Sequence, residues 1–466
     1  MKASQTARWA SLLAAAVVLV TVGACSSAAT TAPTNAPATQ APTAAPATAA
    51  PTAAPVTPAP ATAAPTEAPK KALRIMSSNA EDNQVWNRVL KAFTDKTGIE
   101  VINEASPDFE VTLQARVAGG DPPDVAVFPQ PGLMRDFTDK LVDLKTVYDM
   151  GKIKDEFGQG IIDLGMSADG SKFLGLNHIV INKSLVWYSK KAFADAGYSV
   201  PTTWDEMIAL AEKIKADGKA PFCVSIESAS ATGWVVTDYV ENVLLRTAPL
   251  DVYDQWTTNE VKFTDPRVKA AWEKVGQILN TPGYAYGGPG TMLTTPWTDG
   301  GAWLFTDPPK CYMFMQGSFA TGAFPDEVKA DLATYAGSFT VPQIDAQYGA
   351  PLLVVGELVS VFKDSPEARA FLEWILLPDA AVAWNQGDDA MVFTGKSTPP
   401  SVYTSDFWRQ QAETVLGASA FRYDGSDMMP GAVGTGSFWK GGVDFIQNPA
   451  QLDEILKAID ASWPAQ

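Results

Sequence analysis

Histidine, cysteine and basic residues are scarce in this 466-residue chain. Its single histidine, His178, excludes a metal site built from several imidazoles and leaves only one base for Ser–His–Asp chemistry. Its three cysteines can form neither a disulfide-dense scaffold nor a four-thiolate zinc site. Basic residues number 35 against 52 acidic ones, and the net charge of −17 argues against nucleic acid as a partner. We therefore expect no metal, no cofactor and no nucleic-acid ligand.

The chain also lacks an apolar run long enough to cross a membrane comfortably, and its longest apolar run lies at the N-terminus. Lys2 and Arg8 precede an apolar stretch over residues 9–24, which is too short to cross a bilayer comfortably and has the order of a secretory signal. The stretch ends in Val-Gly-Ala-Cys at Cys25, which resembles the bacterial lipobox. The resemblance implies a lipoprotein signal peptide over 1–24, with cleavage before Cys25 and diacylation of its thiol. An ordinary signal peptide or a short membrane anchor is the alternative.

Residues 25–70 have the composition of a stalk. Between residues 26 and 69 there are ten prolines and one charged residue, Glu67, in a background of alanine and threonine. Such a segment has too little large apolar surface to offset its ordering entropy, and recurrent proline favours extended polyproline II. The sequence therefore predicts a disordered spacer that carries a lipid-anchored domain outside the cytoplasm.

The remaining residues, 71–466, alternate between strand-like and helix-like segments. The opening part predicts strands at 73–76, 99–102 and 124–128, separated by helices at 85–93 and 111–117. This order predicts a mostly parallel sheet covered by helices, with ligands beyond the carboxyl ends of its strands, near loops 77–82 and 129–132. Gly98 is expected to end the first helix. A second block predicts strands at 185–188, 221–226 and 311–315, a helix that begins with a capping box of Thr203 and Glu206, and a long loop at 281–302. Periodicity alone thus supports an α/β protein with two lobes.

Four stretches carry a family resemblance. They are Gly119–Gly132, Lys183–Phe193 together with Gly197–Glu206, Ile226–Glu241, and Pro308–Phe319. The set resembles extracellular solute-binding proteins of bacterial ABC sugar importers, and it is most similar to the α-glucoside-binding subgroup. The resemblance implies a two-lobed periplasmic-binding-protein-like fold with a hinge and an interlobe cleft. It places lobe 1 at about 71–182 and 352–405, and lobe 2 at about 183–351 and 406–466.

The same resemblance implies a receptor rather than an enzyme. The receptor would close about its hinge on a sugar, such as an α-glucoside or an oligosaccharide, and deliver it as a monomer to the permease of an ABC transporter. No G-x-S-x-G or H-E-x-x-H motif occurs in the chain. A surface-tethered glycoside hydrolase or lyase remains an alternative, because paired carboxylates are common in an acidic chain. A binding protein for a non-sugar solute is another.

Sugar recognition needs flat aromatic side chains for the C–H faces and carboxylate, amide or ammonium groups for the hydroxyl rim. On this basis the candidate ligand-binding residues are Asn79, Glu81, Gln130, Lys183, Glu227, Trp234, Asp238, Phe319, Glu357 and Trp439. For the tryptophans the competing interpretation is core packing, and for Asn79 and Glu81 it is capping of the following helix. The first loop lacks the aromatic residue that the family often has there, which puts these two contacts in doubt.

Cys223 and Cys311 are the two cysteines of the folded part. An oxidising compartment favours their pairing, and the α-glucoside-binding subgroup looks similar at both positions. We therefore predict a disulfide between them, with two buried thiols as the alternative.

Overall fold

The structure is a computed structural model that describes residues 72–79, 83–386, 391–418 and 420–465. The strands are β1 Leu73–Ser77, β2 Val101–Asn103, β3 Val125–Phe128, β4 Gly175–Asn182, β5 Leu185–Ser189, β6 Ala220–Phe222, β7 Cys311–Met315, β8 Ala336–Thr340, β9 Leu352–Val361, β10 Val392–Phe393 and β11 Phe421–Tyr423. The helices are α1 Gln84–Thr97, α2 Phe109–Ala118, α3 Pro131–Arg135, α4 Met150–Phe157, α5 Gln159–Gly165, α6 Lys190–Ala196, α7 Trp204–Ala216, α8 Trp234–Leu244, α9 Leu250–Thr257, α10 Pro266–Leu279, α11 Gly288–Thr294, α12 Asp299–Ala302, α13 Asp326–Ala330, α14 Leu332–Tyr335, α15 Pro366–Trp374, α16 Pro378–Trp384, α17 Asp406–Leu416, α18 Gly425–Met428, α19 Trp439–Gln447 and α20 Leu452–Ala461. The signal segment, Cys25, the stalk and Glu81 lie outside the described residues. None of the described helices has the length and apolar character that a membrane span requires.

Helix α1 shows how local sequence sets the elements. The side chain of Asn83 accepts a hydrogen bond from the Trp86 amide at 2.9 Å and so caps the helix. Five apolar side chains at helical spacing, from Val85 to Phe93, are buried. The helix ends at Gly98, whose φ of 67° is a left-handed conformation that glycine adopts without a steric cost.

The first sheet has seven strands in the order β10-β4-β9-β3-β1-β2, with β11 added beside β9. Strands β2 and β3 lie parallel to β1, with Leu73 opposite Val101 and Ile75 opposite Val125. Strand β9 lies antiparallel to both β3 and β4, so Val125 faces Val361. The expected parallel arrangement is therefore correct for the first three strands and wrong for the complete sheet. The sheet differs from the expectation because β9, which comes late in the chain, runs antiparallel to both β3 and β4.

The second sheet has four strands in the order β6-β7-β5-β8. Strand β5 is antiparallel to β7 and β8, whereas β6 and β7 are parallel. Cys223 follows β6 and Cys311 begins β7, and the two form a disulfide with their Cα atoms 5.3 Å apart. Both cysteines are completely buried, and the predicted pairing is confirmed.

Each sheet has its own hydrophobic cores. The strands of the first sheet pack against α1, α15 and α16 on one face, and against α2 and α3 on the other. The strands of the second sheet pack against α7, α8 and α10 on one face, while Cys223 and Cys311 belong to a smaller core. Helix α17 packs Trp408, Ala412 and Val415 into the core of the first sheet. The segment 406–423 is thus attached to the first sheet, through both α17 and β11.

The segment 281–302, expected to be a loop, contains the short helices α11 and α12. The strand expected at 221–226 ends at Phe222, because only the Cys223 amide continues the hydrogen bonding to β7 and later amides bond outside the sheet. The Cys223 amide donates to the Met313 carbonyl at 2.8 Å, and the Ile226 amide donates to the Met292 carbonyl at 3.0 Å.

Candidate functional site

The chain passes between the two sheets at three places that lie side by side. The first crossing lies between β4 and β5, the second between β8 and β9, and the third directly after β11. The Lys183 amide of the first crossing donates to the Leu353 carbonyl of the second at 2.8 Å. The Leu353 amide in turn donates to the Ser184 hydroxyl at 2.8 Å. The third crossing joins them where the Asp424 amide donates to the Val354 carbonyl at 2.8 Å. These buried bonds make the three crossings one hinge.

A buried ion cluster occupies this hinge. The ammonium of Lys183 lies 2.9 Å from a carboxylate oxygen of Asp238 on α8 and 2.7 Å from one of Asp424 after β11. The side chains of all three residues are at most 7% exposed. Lys183 was predicted at a lobe crossing, and its charge is neutralised there by acids from two other segments.

Burial and charge act in opposite directions on the pKa values of this cluster. Burial alone would lower the pKa of Lys183, but Asp238 and Asp424 raise it well above its ordinary value. Burial raises the pKa of Asp238 well above the usual range. It also opposes ionisation of Asp424, yet the ammonium of Lys183 and the hydroxyl of Ser426, which donates at 2.8 Å, hold the pKa of that carboxyl below its usual value. Asp424 is therefore the ionised partner of Lys183.

A further carboxyl group supports the third crossing from behind. Glu241, on α8, is completely buried and accepts the backbone amides of Gly425 at 2.8 Å and Ser426 at 2.9 Å. The Tyr253 hydroxyl donates to the same carboxyl at 3.2 Å. Burial raises the pKa of Glu241 well above its ordinary value. This side chain orients the start of α18 and is not free to bind a ligand.

Three aromatic side chains lie next to the ion cluster. Trp234, Trp297 and Phe319 are half-buried, and their ring centroids lie between 5.4 and 5.9 Å from one another. The ammonium of Lys183 lies 5.0 Å from the centroid of the Trp234 ring. Trp234 and Trp297 pack on the core of the second sheet, and Phe319 packs on that of the first. The trio therefore stands at the junction of the two lobes.

Gly233 places Trp234 at the start of α8. Its φ of 119° is one that side-chain-bearing residues rarely adopt, and a Cβ there would lie 2.1 Å from the Trp439 carbonyl oxygen. The backbone of Trp439 thus packs directly against the turn that presents Trp234. Trp439 itself is 4% exposed, and its indole Nε1 is buried without a hydrogen-bond partner in the described part of the chain. It follows a π-helical segment, Ala432–Phe438.

Polar groups with unused hydrogen-bonding capacity come from the first sheet. Gln130, directly after β3, is 4% exposed and donates from Nε2 to Oε1 of Glu110 at 2.9 Å. Oε2 of Glu110 and the amide oxygen of Gln130 are buried and have no partner among the described residues. Burial raises the pKa of Glu110. Such unsatisfied oxygens are rare in protein interiors and mark positions where a ligand or water completes the bonding.

Asp427 connects these groups to the hinge. It is 4% exposed, and burial raises the pKa of its carboxyl well above the usual range. It interacts electrostatically with Asp424, Lys183 and Asp238, and also with Glu110. Asp238, Asp424 and Asp427 thus surround one ammonium, and Glu110 of the other lobe interacts with Asp427. Among the residues described, no group of three or more histidine, cysteine, aspartate or glutamate side chains is arranged to hold a metal ion.

Two of the other candidates, Asn79 and Glu227, use their side chains within their own segments. Asn79 donates to the Ser77 hydroxyl at 3.3 Å and accepts from Asn83 at 3.1 Å, so it supports the N-terminus of α1. Glu227 accepts the Ala229 amide at 2.8 Å and thereby orders its own loop. Glu357, on β9, has one buried carboxylate oxygen that finds no partner within the described ranges, and burial raises the pKa of Glu357 to about 7.

His178 lies close to Glu357 in the sheet. A register shift between β4 and β9 falls at His178, which is 1% exposed. Its ring packs between Trp384 and Phe393, with centroids 6.4 and 6.1 Å away. Burial lowers the pKa of His178 to about 4, so the ring is neutral. It is a core residue.

Sequence reasoning missed four residues of the cluster, namely Glu110, Trp297, Asp424 and Asp427. Trp297 lies between the two short helices of the segment that was read as a loop. Glu110 had a usable signal, because it is the one acid on the otherwise apolar start of α2. Nothing local distinguishes Asp424 and Asp427 from other acids, since their partners lie in distant parts of the chain.

Two lobes with separate sheets, a three-strand hinge, and a junction lined by aromatic rings and acid groups define a two-lobed solute-binding protein. The sequence profile of the bacterial extracellular solute-binding proteins matches residues 77–382, and the chain belongs to this family. The osmoprotective compounds-binding protein GgtB of Synechocystis sp. is 41% identical over 82% of this chain and 90% of its own length. The alpha-glucosides-binding periplasmic protein AglE of Rhizobium meliloti is 37% identical over 82% and 84%.

Solved structures confirm the predicted two-lobed fold. The bacterial solute receptor AcbH, described with a preference for β-D-galactopyranose, superposes with a TM-score of 0.71 over 84% of this chain and 97% of its own, at 20% identity. The maltose-bound MalE3 of T. maritima gives 0.65 over 84% and 98%, at 15% identity. GgtB and AglE are named as binding proteins, and the family to which the chain belongs is one of binding proteins rather than enzymes. The chain is accordingly an extracytoplasmic solute-binding receptor of an ABC importer.

Proposed function

We propose that this protein is a lipid-anchored carbohydrate receptor that closes on a neutral α-glucoside or short oligosaccharide and delivers it to an ABC permease. The observation that carries the proposal is the aromatic trio of Trp234, Trp297 and Phe319 together with the buried side chains of Glu110 and Gln130, which retain free oxygens. Flat rings pack on the C–H faces of a sugar, and the oxygens of Glu110 and Gln130 accept hydrogen bonds from its hydroxyl groups.

The charge of the site supports a neutral ligand. Lys183 is already paired with the ionised Asp424 and lies 2.9 Å from Asp238, so it has no excess charge to offer an anion. Glu110 and Asp427 have raised pKa values because they are buried, which favours their protonated forms. A protonated carboxyl both donates and accepts a hydrogen bond, as a sugar hydroxyl does. A cationic solute would instead compete with Lys183, whose ammonium lies 5.0 Å from the Trp234 ring.

The relatives agree with a small polyhydroxylated ligand. GgtB is named for the binding of osmoprotective compounds, and AglE is named for the binding of alpha-glucosides. We place lobe 1 at about 72–182 and 352–423, and lobe 2 at about 183–351 and 424–466. The last crossing is set at Asp424 rather than near residue 405, because α17 and β11 pack on the first sheet.

A thermal-shift screen of the purified protein tests the ligand class. Trehalose, sucrose, maltose and longer α-glucans form the sugar arm, and spermidine forms the cationic arm. A bound sugar should stabilise the protein by RT ln(1 + [L]/Kd), about 2.7 kcal/mol at a hundredfold excess over Kd. Chromatography of the recovered sugar should find no product. A rise in Tm with spermidine alone, or turnover of a glycoside, would refute the proposal.

The anchor is tested separately on the full-length chain in a bacterial host. Diacylation of Cys25 predicts recovery in the membrane fraction and a lipid-modified N-terminal peptide in mass spectrometry. Cys25→Ser should leave sugar binding unchanged and release the protein from that fraction. Membrane retention of this variant would show that the segment acts as an uncleaved anchor. Size-exclusion chromatography with light scattering checks the expected monomer.

A further inference from the structure

An exposed hydrogen bond joins the two lobes away from the three hinge crossings. The Ser230 amide donates to Oδ1 of Asp108 at 3.1 Å. Asp108 precedes α2, which packs on the first sheet, and Ser230 lies in the 3₁₀ turn Ala229–Ala231, which follows β6 of the second sheet. Both residues are exposed. The contact therefore lies at the surface where the lobes meet.

The positions of its two partners place this contact over the ligand site. Glu110, with its free buried oxygen, is two residues beyond Asp108. Trp234, of the aromatic trio, is four residues beyond Ser230. On each lobe, the residue that lines the site comes just after the contact in the chain. The contact therefore marks the mouth of the cleft.

The carboxylate of Asp108 is free for this role. Asp108 occupies the position at which a side chain usually caps the following helix, yet its side chain makes no capping hydrogen bond to α2. Its Oδ1 instead accepts a hydrogen bond from the Ser230 amide of the opposite lobe. Removal of the carboxylate should therefore leave the helix intact.

The loop 227–232 is built to present its amide. Ala229 has a φ of 48°, a left-handed conformation that is costly for alanine. The Glu227 carboxylate holds it there by accepting the Ala229 amide at 2.8 Å, and the Thr232 hydroxyl accepts the Ser228 amide at 3.0 Å. Strain held by neighbouring groups is typical of ligand clamps and switch segments.

We propose that Asp108 and the loop 227–232 form a latch that closes over the bound ligand, so that the receptor favours short glycosides that fit wholly inside the cleft. The latch rests on the proposed sugar-binding function. A longer glucan would have to pass between Asp108 and Ser230, and so would prevent their hydrogen bond. Asp108 is then a positioning residue that slows release of the ligand without touching it.

The test compares Asp108→Ala, Asp108→Asn and Asp139→Ala with the unaltered protein. Asn keeps an acceptor oxygen, and Asp139 is an exposed acid that provides the same change of charge away from the cleft. Stopped-flow tryptophan fluorescence measures the dissociation rate of trehalose, sucrose and maltose, and calorimetry compares these with maltotetraose. Hydrogen–deuterium exchange of the peptide covering 228–233 reports on the Ser230 amide in the empty protein.

We expect Asp108→Ala to release the disaccharides about threefold to tenfold faster, which is the range for loss of one exposed charge-assisted hydrogen bond. This variant should also show faster hydrogen–deuterium exchange of the peptide 228–233. Its affinity for disaccharides should exceed its affinity for maltotetraose by a smaller factor than in the unaltered protein. Asp108→Asn should fall between this variant and the unaltered protein, and Asp139→Ala should match the unaltered protein.

The failures of the two proposals differ. Disaccharide binding with an unchanged release rate and unchanged exchange in Asp108→Ala would overturn the latch and leave the receptor function standing. Tighter binding of maltotetraose than of any disaccharide would also overturn it. No binding of any saccharide by the unaltered protein would overturn the receptor function and, with it, the latch.

Discussion

Replacing Lys183 by methionine tests the charge arrangement of the hinge. The ammonium lies 2.9 and 2.7 Å from the carboxylates of Asp238 and Asp424, and all three side chains are at most 7% exposed. Removal of one partner from a buried ion pair leaves uncompensated charge and costs about 3–5 kcal/mol. Methionine fills most of the volume of the lysine stem, so little of the loss comes from a cavity. We expect the free energy of unfolding at pH 7 to fall by about 3–5 kcal/mol.

Two control variants separate the charge effect from a change in packing. Asp424→Asn in the Lys183→Met background removes the stranded carboxylate and should recover part of the loss. Lys96→Met removes an exposed ammonium that pairs with Asp379, and this should cost less than about 1 kcal/mol. Guanidinium denaturation at constant m value measures all three variants.

The pH dependence gives the sign of the effect. In the unaltered protein the pKa of Asp424 is depressed, so its contribution to stability is present above the unfolded pKa and is lost as the pH falls through the folded pKa. In Lys183→Met the carboxyl of Asp424 loses its cation, and burial then raises its pKa above the unfolded value, as it already does for Asp238 in the unaltered protein. The stability of the variant is then highest in acid and decreases as the pH rises. The difference between the two proteins should widen from about pH 4 to pH 7. A loss below 1 kcal/mol at pH 7, or a difference that does not vary with pH, would refute this reasoning.

Three further predictions concern the rings, the disulfide and the buried acid of β9. Trp234→Ala should weaken sugar binding about tenfold in calorimetry with an unchanged fold, because it removes one stacking face, whereas Trp463→Ala at the C-terminus should not; equal affinity in both variants would remove the assignment. Paired alanine substitutions at Cys223 and Cys311, whose bridge spans 88 residues, should lower the free energy of unfolding by up to ~4.5 kcal/mol in the chain-entropy model, and denaturant titration that finds no loss would contradict it. Because the pKa of Glu357 is raised to about 7, its contribution to stability is greatest below the unfolded pKa and is lost between about pH 4.5 and 7; Glu357→Gln should remove this loss, up to ~3 kcal/mol, and parallel stability–pH curves would speak against it.

Features governed by neighbouring residues were predictable from the sequence. The capping box of α7 was predicted from Thr203 and Glu206, and both of its hydrogen bonds are present. The stop of α1 at Gly98 and the strand that begins at Cys311 were likewise correct. Strand direction was not predictable in this way. Strand β9 lies between β3 and β4 in the sheet, but in the chain it comes after all four strands of the second sheet.

The site was recovered only in part, for a similar reason. Residue chemistry was enough to select Lys183, Trp234, Asp238 and Phe319, and the fold brings these four together. Asp424 lies 241 positions from Lys183, and neither periodicity nor a motif connects two such positions. Glu227 had the right chemistry for a ligand contact but is used to hold Ala229. A pattern identifies groups that can bind a sugar, whereas the tertiary partners decide which of them are free.

The two kinds of contact between the lobes differ in exposure, and this difference fits a receptor that opens and closes. At the hinge, Lys183, Asp238 and Asp424 are buried, so separating their charges would be costly and the crossings stay joined in every state. At the mouth, the bond between Asp108 and Ser230 is exposed, so water replaces it at little cost when the lobes part. Between them lie groups such as Glu110 whose buried oxygen lacks a partner, a penalty that a ligand hydroxyl removes. Closure is then weakly favoured without a ligand and strongly favoured with one, because the ligand supplies the hydrogen bonds that the closed protein cannot make by itself.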